Sequence, residues 1–452
     1  MTSPTDLLVR GGRIIDPANG VEGTLDVLVR DGRIAAVAAE LAANAPVFDA
    51  TGLVVAPGFV DLHTHLREPG FEHKETIASG TIAAARGGYT TVCAMANTDP
   101  TMDSAAVVAQ VLERARGASA RVLPVGAITK GRRGKELAEM EALRAAGVVA
   151  YSDDGEGIAD AGVARRAFDY AAALDLPISE HCEDLAIAGA GQERGVMHEG
   201  AVSARLGLSG QPAAAEIAML DRDIHLAELT GAQLHFAHVS TAASCAAVAT
   251  AKEHGLRISA EVTPHHLFLT DAAVAGETTN GLDPNSYDTN AKVAPPLRPA
   301  AHAAACVDAL ATGVLDAVAT DHAPHALPDK QCEFQHAAYG ISGLETAFGV
   351  LGTLVSERKL TLATVIERLT IGPVRAWRLD RETHRGLGTL AEGAPGDLAI
   401  IDPACRWVVN PDRFASLGKN TPLTGRTLTG RVVATVLGGR LVFDARAEEA
   451  PA

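Results

Sequence analysis

The chain has 452 residues, of which 47% are hydrophobic and 44 are glycine, and its formal net charge at pH 7 is −16. This length exceeds one typical domain, and the composition is that of a compact globular α/β protein. The negative charge leaves no basic stripe for phosphate groups and argues against a nucleic acid partner, although a few buried arginines could still hold a small anion.

The sequence gives no sign of a secreted or membrane-bound protein. Its first residues lack the basic region and apolar core of a signal peptide, and no apolar run is long enough to span a bilayer. The six cysteines are scattered and include no Cys-x-x-Cys pair. We therefore expect a reducing, cytoplasmic location without a disulfide framework.

Both ends of the chain are predicted to form short strands with tight turns. Asp31-Gly32 lies between two apolar runs, which is a hairpin signal, and Gly438-Gly439 separates two further runs near the C-terminus. We interpret residues 1–56 and 376–452 as the two parts of one small composite β-sandwich domain. The long domain inserted between them then spans residues 57–375.

The inserted region alternates between β-prone apolar runs and alanine-rich helical stretches. The apolar runs lie at 53–62, 89–96, 121–128, 147–153, 176–182, 233–239, 257–263 and 315–320, and helical stretches include 104–116, 160–174, 214–230 and 242–254. Eight such runs predict a (β/α)₈ TIM-type barrel, in which catalytic groups lie at the C-terminal ends of the strands. An open doubly wound sheet is the alternative, but it would need fewer strands or a glycine-rich phosphate loop.

The first of these runs ends in His63 and His65. Residues i and i+2 of a strand point to the same side, so two neutral imidazoles could bind one divalent metal ion there. Arg67 would place a guanidinium beside that ion, where it suits a carboxylate. Taken alone, a His-x-His pair is more often a polar strand end than a metal site. The interpretation therefore depends on ligands from other strands.

Four other predicted strands end in histidine or aspartate. The fourth is followed by Asp153-Asp154, which is costly to bury unless paired or metal-bound, although an Asp-Gly turn is the alternative. The fifth and sixth deliver His181 and His238, and the eighth delivers Asp321. Side-chain alternation does not choose between Asp153 and Asp154. Four histidines and two aspartates suit two ions roughly 3.5–4 Å apart, and the excess of imidazole favours zinc over magnesium.

Six segments carry a family resemblance. They are GFVDLHTHLREPG at 58–70, AARGGYTTV at 84–92, SDDG at 152–155, AHVST at 237–241, EVTPHH at 261–266 and ATDHAPH at 319–325. With these segments the chain resembles the class I bacterial dihydroorotases of the amidohydrolase superfamily over essentially its whole length. The resemblance implies the barrel, the composite β domain and the reversible cyclisation of N-carbamoyl-L-aspartate to L-dihydroorotate plus water, a step of pyrimidine biosynthesis.

The resemblance also implies two zinc ions per subunit. Asp154 would bridge them, with one ion on His63, His65 and Asp321 and the other on His181 and His238. A hydroxide held between the ions would attack the ring amide. Asp321 would act first as general base and then as general acid.

The substrate side of the site is likewise implied by the resemblance. The residues expected around the substrate are His65, Arg67, Asn97, His325, Tyr339 and Gly340. Arg67, Asn97 and His325 would hold the free carboxylate, and backbone groups of Tyr339 and Gly340 would contact the pyrimidine edge. Read without the resemblance, Asn97 is a turn residue and His325 a loop residue.

The sequence departs from the family pattern at Ala294, where dihydroorotases usually have a substrate-binding asparagine. A polar segment, residues 276–290, is long for the family, and Asn290 or a backbone group is a candidate replacement. The alanine before Pro-Pro is shared with allantoinases, so an allantoinase or a dihydropyrimidinase/hydantoinase type of enzyme is the first alternative. The Asp-Asp-Gly in place of a strand-end lysine argues against it.

A non-catalytic scaffold for aspartate transcarbamoylase is the second alternative. Loss of metal ligands would mark that class, and here every ligand position is filled. We also expect a homo-oligomer. Association of an active enzyme with aspartate transcarbamoylase is left open.

Overall fold

The computed structural model describes residues 6–189, 194–276, 286–381 and 384–449. Its strands are β1 (Leu7–Asp16), β2 (Val21–Arg30), β3 (Arg33–Ala38), β4 (Val47–Asp49), β5 (Val54–Pro57), β6 (Phe59–Thr64), β7 (Tyr89–Ala94), β8 (Arg121–Gly126), β9 (Ala150–Tyr151), β10 (Ile178–Glu180), β11 (Met197–His198), β12 (Gly210–Gln211), β13 (Leu234–Phe236), β14 (Ile258–Val262), β15 (Ala317–Val318), β16 (Leu398–Val408), β17 (Thr427–Leu437) and β18 (Arg440–Asp444).

The helices of the same residues lie mostly between the strands of the inserted region. They are α1 (Ile77–Arg86), α2 (Ala105–Arg114), α3 (Met140–Ala146), α4 (Ala161–Leu174), α5 (Leu185–Ala188), α6 (Ala201–Leu206), α7 (Ala214–Thr230), α8 (Ala242–Glu253), α9 (Pro264–Phe268), α10 (Ala272–Ala275), α11 (Ala300–Thr312), α12 (Leu327–Lys330), α13 (Ala347–Ser356), α14 (Leu362–Leu369), α15 (Ile371–Trp377) and α16 (Ala445–Glu449). The four helical stretches predicted from the sequence correspond to α2, α4, α7 and α8.

Eight parallel strands form the barrel, in the order β6-β7-β8-β9-β10-β13-β14-β15. The first and last strands also meet. The backbone N–H of His65 donates to the carbonyl of His322 at 2.9 Å, and the Asp61 carboxylate accepts the backbone N–H of Thr320 at 2.9 Å. This contact confirms the predicted barrel, because the edge strands of an open doubly wound sheet stay apart.

The run predicted as one strand at 53–62 is two strands that belong to different sheets. β5 pairs with β1 and β16, whereas β6 pairs with β7. The break is at Gly58, whose N–H donates to the carbonyl of Asp397 at 2.9 Å. A β-carbon on Gly58 would lie 2.1 Å from the hydroxyl of Thr90, so the chain can pass from one sheet to the other here only without a side chain.

Local sequence explains where the outer helices begin and end. The side chain of Asp160 accepts the N–H of Val163 at the start of α4, and Thr241 accepts the N–H of Ser244 at the start of α8. Gly231 ends α7 in the left-handed conformation that glycine favours. These caps fix the helix boundaries, and therefore the lengths of the loops that face the two ends of the barrel.

The N-terminal end of the barrel is closed by α15. The carbonyl of Ala376 accepts the side-chain amide of Gln233 at 2.8 Å and the hydroxyl of Ser259 at 3.3 Å. Trp377 is 1% exposed and packs edge-on against the His235 ring at 5.6 Å. With this end filled by apolar side chains, a substrate can enter the barrel interior only from the C-terminal end of the strands.

The second large sheet has the order β18-β17-β16-β5-β1-β2-β3, with β4 against β1. β5 joins the strands of the two chain ends, because it runs parallel to β1 and antiparallel to β16. The N–H of Gly396 donates to the carbonyl of Gly32, and that of Gly439 to the carbonyl of Gly396, so the outer hairpins also approach each other. Buried side chains from both chain ends share one apolar core, as predicted for the composite β-sandwich.

The predicted domain limits, 56/57 and 375/376, stay predictions. The first falls within β5 and the second within α15. Among the helices of the described residues, none combines the length and the apolar character that crossing a membrane requires.

Asp397 ties the sandwich to the barrel, and its removal should destabilise the protein. Its carboxylate accepts the guanidinium of Arg121 on β8 at 2.9 Å and the N–H of Gly438 at 2.8 Å. We expect Asp397→Ala to cost about 1.5–3 kcal/mol, the range for hydrogen bonds to charged groups. Thermal unfolding beside Asp221→Ala, an exposed position on α7, measures the effect; equal unfolding temperatures for the two variants would contradict this role.

Candidate active site

The six predicted metal ligands meet at the C-terminal end of the barrel. His63 lies at the end of β6, Asp154 after β9, His181 after β10, His238 after β13 and Asp321 after β15. With His65, all of them are buried, the most exposed being Asp321 at 6%. Five of the six line a cavity of about 220 Å³. His63 lies behind them, and its ring contacts both His65 and His238.

The ligand atoms fall into two groups that share Asp154. In the first, His63 Nε2 lies 3.3 Å from Asp154 Oδ1 and 3.6 Å from Asp321 Oδ1, and His65 Nε2 lies 3.0 Å from Asp321 Oδ1. In the second, His181 Nδ1 and His238 Nε2 lie 3.5 Å and 3.4 Å from Asp154 Oδ1. The carboxylate of Asp154 is therefore within reach of all four imidazoles.

The structure distinguishes the two adjacent aspartates that side-chain alternation left open. The carboxylate of Asp153 accepts the backbone N–H groups of Ile128 and Thr129 at 2.8 and 3.1 Å, and also the hydroxyl of Thr129. It therefore fixes the loop after β8. The carboxylate of Asp154 faces the histidines instead, and Arg132 donates to its backbone carbonyl at 3.0 Å.

Three of the four imidazoles that face the cluster are each held by an acceptor on the other ring nitrogen. His63 Nδ1 lies 3.0 Å from Glu261 Oε1, His65 Nδ1 lies 2.8 Å from Asn97 Oδ1, and His181 Nε2 lies 3.2 Å from Glu183 Oε2. Such partners fix the tautomer and the orientation of a metal-binding imidazole. Each ring therefore turns one nitrogen toward the cluster: Nε2 of His63 and His65, and Nδ1 of His181.

The pKa values reflect this crowding of buried charge. Burial opposes ionisation of Asp154, but its contacts with His63, His181 and His238 hold its pKa well below the usual range. Burial likewise opposes charge on His181, yet its bonds to Asp154 and Glu183 raise its pKa to about 9. Despite its burial, Asp321 also has a lowered pKa because of its bond to His65. Both aspartates are therefore carboxylates at neutral pH.

The donor set fits divalent metal ions. His63 Nε2 and Asp154 Oδ1 are buried and make no hydrogen bond within the described part of the chain. The groups His63–Asp154–His238 and His63–His65–Asp321 each bring three ligand atoms within 4.8 Å of one another. Neutral imidazole and carboxylate at such spacing are the ligands that zinc takes in proteins, and a shared carboxylate is typical of two-metal sites.

Arg67 and His325 lie next to each other in the cavity. The Arg67 guanidinium donates to the carbonyl of Pro324 at 3.2 Å, and burial lowers its pKa to about 10, so that it stays charged at neutral pH. Burial and the nearby Arg67 lower the pKa of His325 to about 3, which leaves its ring neutral. His325 Nε2 then donates to the carbonyl of Tyr339 at 2.8 Å.

Gly340 and Ala294 also line the cavity. Gly340 has a φ of +142°, and a β-carbon there would lie 2.5 Å from the β-carbon of Ala323, so the tight approach of this loop to the cavity requires glycine. The N–H of Gly340 donates to the carbonyl of Lys292 at 2.9 Å. Ala294 lines the cavity without a polar side chain. Asn290, a predicted replacement, lines a separate cavity, and residues 277–285 of the predicted loop lie outside the described residues.

Comparison with known proteins identifies the family. A family model described as dihydro-orotase-like matches residues 52–244. A dihydroorotase of Anaeromyxobacter sp. (strain K) is 51% identical over 97% of this chain and 98% of its own length. That of Solibacter usitatus is 48% identical with the same coverage of both chains. This chain belongs to the dihydroorotase family.

Solved structures with the same fold include more distant cyclic amidohydrolases. The L-hydantoinase of Arthrobacter aurescens superposes with a TM-score of 0.84 at 24% identity, covering 97% of this chain and 96% of the other. The dihydropyrimidinase of Brevibacillus agri has a TM-score of 0.80 at 22% identity, with 97% and 95% coverage. Within the dihydroorotase family this chain thus has a barrel-and-sandwich fold that also occurs in these proteins.

Sequence reasoning missed the acids behind the histidines and one arginine of the cavity. Glu261 binds both His63 and His235, at 3.0 Å each, and the paired Glu183 and Arg194 stand behind His181. Glu183 lies two residues after His181 in the segment HCED, which could have pointed to it. Glu261 and Arg194 gave no such signal, because their partners are not close in sequence.

Glu261→Gln should weaken metal binding. The substitution removes the charge that orients His63, and loss of such a partner typically costs 10- to 100-fold in metal affinity. Competition with a chromogenic chelator measures the affinity for Zn²⁺. Glu113→Gln, at the exposed Glu113–Arg116 pair of α2, is the matched control and should leave the affinity unchanged. Equal affinities for the two variants would contradict an orienting role of Glu261.

Proposed function

We propose that this chain is a dihydroorotase that catalyses the reversible cyclisation of N-carbamoyl-L-aspartate to L-dihydroorotate plus water, as part of de novo pyrimidine biosynthesis. The observation that carries the proposal is the combination of full-length relatives of that name with a cavity where a His/Asp cluster lies beside a buried arginine. The cluster suits the reacting amide, and Arg67 suits the free carboxylate of this substrate.

The proposed cofactor is a pair of zinc ions. His63, His65 and Asp321 would hold one, His181 and His238 the other, and Asp154 both. When bound, the ions would lower the pKa of a water molecule and polarise the amide carbonyl. The buried atoms His63 Nε2 and Asp154 Oδ1 support this assignment, because they lie 3.3 Å apart and neither makes a hydrogen bond to a described residue.

Asp321 is the proposed general acid and base. Its lowered pKa keeps it ionised at neutral pH, so its carboxylate can take a proton from the attacking water in the hydrolytic direction. The same carboxylate then gives the proton to the ring nitrogen as the amide bond breaks. Synthesis runs through the reverse steps.

The free carboxylate of the substrate is proposed to bind at Arg67 and Asn97. Arg67 can form two parallel hydrogen bonds with it. The side-chain oxygen of Asn97 accepts a hydrogen bond from His65, so the side-chain nitrogen of Asn97 can donate into the cavity. His325 would have to turn its Nε2–H from the carbonyl of Tyr339 to bind the carboxylate directly. The carbonyl groups of Tyr339 and Gly340 each keep a second lone pair for the pyrimidine edge.

The further expectations of a cytoplasmic homo-oligomer, and of association with aspartate transcarbamoylase, stay predictions. The solved structures of hydantoinase and dihydropyrimidinase type favour a neutral cyclic amide as the second candidate substrate. Dihydroorotate carries a free carboxylate and a neutral cyclic amide does not, and Arg67 is the residue that would bind this carboxylate.

The proposal predicts which substrate the purified, metal-analysed protein prefers. Assayed side by side, dihydroorotate should be turned over with a kcat/KM at least about 100-fold above those of allantoin and dihydrouracil, because only dihydroorotate can use the charge of Arg67. A preference for either neutral substrate would replace the proposal by the second candidate. Absence of all three activities with both ions bound would favour the scaffold alternative.

Asp321→Ala should lower kcat by roughly 10²–10⁴-fold, the usual contribution of general acid–base catalysis. Thermal unfolding and circular dichroism should show that the variant still folds. Zinc content must be measured in parallel, because Asp321 is also a proposed ligand. Near-normal turnover by the variant would remove Asp321 from the mechanism.

Arg67→Met should raise the KM for dihydroorotate at least about 30-fold, corresponding to a loss of about 2 kcal/mol for an unpaired substrate carboxylate. The KM for dihydrouracil, which has no carboxylate, is the internal control and should change much less. Equal losses on both substrates would mean that Arg67 supports the site without binding the carboxylate.

A further inference from the structure

Arg194 is a second guanidinium in the same cavity, and nothing in the family resemblance gave it a role. It lines the cavity together with Arg67, Ala294 and Tyr339. Its side chain is 22% exposed, and it lies in the segment between α5 and β11. The cavity therefore has one guanidinium proposed to bind the substrate carboxylate and another without an assigned partner in the substrate.

The position of Arg194 is fixed from two sides. Its guanidinium forms an ion pair with Glu183, which is 1% exposed and is itself held by His181 Nε2 at 3.2 Å. The guanidinium also lies 4.8 Å from the centre of the Tyr339 ring, and Lys292 Nζ lies 4.4 Å from the same ring. A buried carboxylate and an aromatic face together hold a guanidinium in a defined orientation.

Arg194 still has hydrogen-bonding capacity. A guanidinium has five N–H donors, and Glu183 can accept only part of them. The Arg194 side chain is partly exposed and lines the cavity, so the donors that Glu183 does not engage can reach a ligand acceptor there. Because Glu183 and the Tyr339 ring already fix the guanidinium, such a hydrogen bond costs less conformational entropy than one from a mobile surface arginine.

The proposed substrate has one polar group that the other residues leave unbound. Its free carboxylate is matched by Arg67 and its reacting amide by the His/Asp cluster, which leaves the ureido carbonyl oxygen. Ala294 offers that oxygen no side-chain donor, and Asn290 lines a different cavity. Arg194 lines the same cavity as Ala294 and Tyr339 and has donors that the other proposed contacts do not use.

We infer that Arg194 is the residue that recognises the ureido group, donating a charge-assisted hydrogen bond to its carbonyl oxygen in both the open and the cyclic substrate. This inference rests on the proposed function. It makes Arg194 a specificity-determining residue, with Glu183 and Tyr339 as the groups that position it. Ala294 is then compatible with activity, because the cavity already carries a stronger donor than an asparagine amide.

The alternative is that Arg194 has only a structural role, in which it holds Glu183 in place and Glu183 in turn holds His181. We call this structural role the brace. The two roles predict different kinetics. Loss of a substrate contact made equally in ground state and transition state raises KM and leaves kcat unchanged, whereas a displaced His181 lowers kcat or metal content. Glu183→Gln, which weakens the brace but keeps the guanidinium, provides the comparison for the second case.

The experiment compares Arg194→Met and Arg194→Lys with the wild type, using Arg116→Met at an exposed ion pair as control. For Arg194→Met we expect the KM for dihydroorotate to rise about 10- to 100-fold with kcat within about threefold of the wild type. Arg194→Lys keeps a cation beside Glu183. Its KM for dihydroorotate should lie between those of the wild type and Arg194→Met, because a lysine ammonium is a single point donor. Arg194→Lys also tests the inference if Arg194→Met loses stability or zinc.

A second readout is the inhibition of dihydroorotate hydrolysis by N-carbamoyl-L-aspartate, its product, and by succinate, measured on the metal-loaded protein. Arg194→Met should weaken inhibition by N-carbamoyl-L-aspartate about 10-fold or more and leave inhibition by succinate, which has two carboxylates but no ureido group, unchanged. Arg67→Met should weaken inhibition by both. A kcat loss at constant KM, or equal weakening of both inhibitors in Arg194→Met and Arg194→Lys, would overturn the inference and favour the brace.

The wild type separates this inference from the proposed function. If it does not turn over dihydroorotate, both are refuted. If it does, and the two Arg194 variants keep its KM and inhibition constants, only the role of Arg194 in substrate recognition is refuted.

Discussion

The constraint on which this site depends is the burial of two carboxylates among four imidazoles at the mouth of a closed barrel. Each unpaired buried charge costs several kcal/mol, so such a cluster is stable only if every member has a fixed partner. Asp154 and Asp321 have the histidines, and three of the histidines have Glu261, Asn97 and Glu183 behind them. From Glu261 the polar network continues to His235, which packs against Trp377 at the other end of the barrel.

The backbone shows that this arrangement is imposed by the fold. Asp321, His238 and Arg67 have φ values of 45°, 35° and 61°, in the left-handed region that residues other than glycine seldom adopt. Each such residue costs about 1–3 kcal/mol and persists only where its surroundings hold it. Around Asp321 these surroundings are the bonds that close the barrel, from Thr320 to Asp61 and from His65 to His322. The contacts that close the barrel therefore also hold Asp321 in position.

Much of this could be predicted from the sequence, because strand periodicity and strand-end residues are local signals. The eight strand regions, four of the helices, and the histidine and aspartate candidates at the strand ends all follow from short segments. The break at Gly58 was missed, because β5 and β6 form one continuous apolar run and only a partner near residue 397 separates them. Asp153 and Asp154 could not be told apart either, since the loop after β8 decides which one turns inward.

The polar groups behind the ligands were beyond sequence reasoning for a different reason. Glu261 is 198 residues from His63. In the sequence it looks like an ordinary strand residue, and only the closed barrel places it next to His63. Arg194 follows a segment without strong periodicity, and its partners Glu183 and Tyr339 come from different parts of the chain. Contacts of this kind depend on closure of the whole barrel, which no local pattern encodes.

The net charge of −16 does not oppose an anionic substrate, because the field that matters is local. Surface acids are screened over a Debye length of about 8 Å at physiological ionic strength, whereas charges inside a buried cavity act through a less polar medium. There, Arg67 keeps a pKa of about 10 and lines the cavity beside the His/Asp cluster. Hydantoinase-type proteins have the same fold, so the fold alone does not set the substrate. The discriminating element must be the few cations that line this cavity, and a carboxylate is the chemical group they distinguish most strongly.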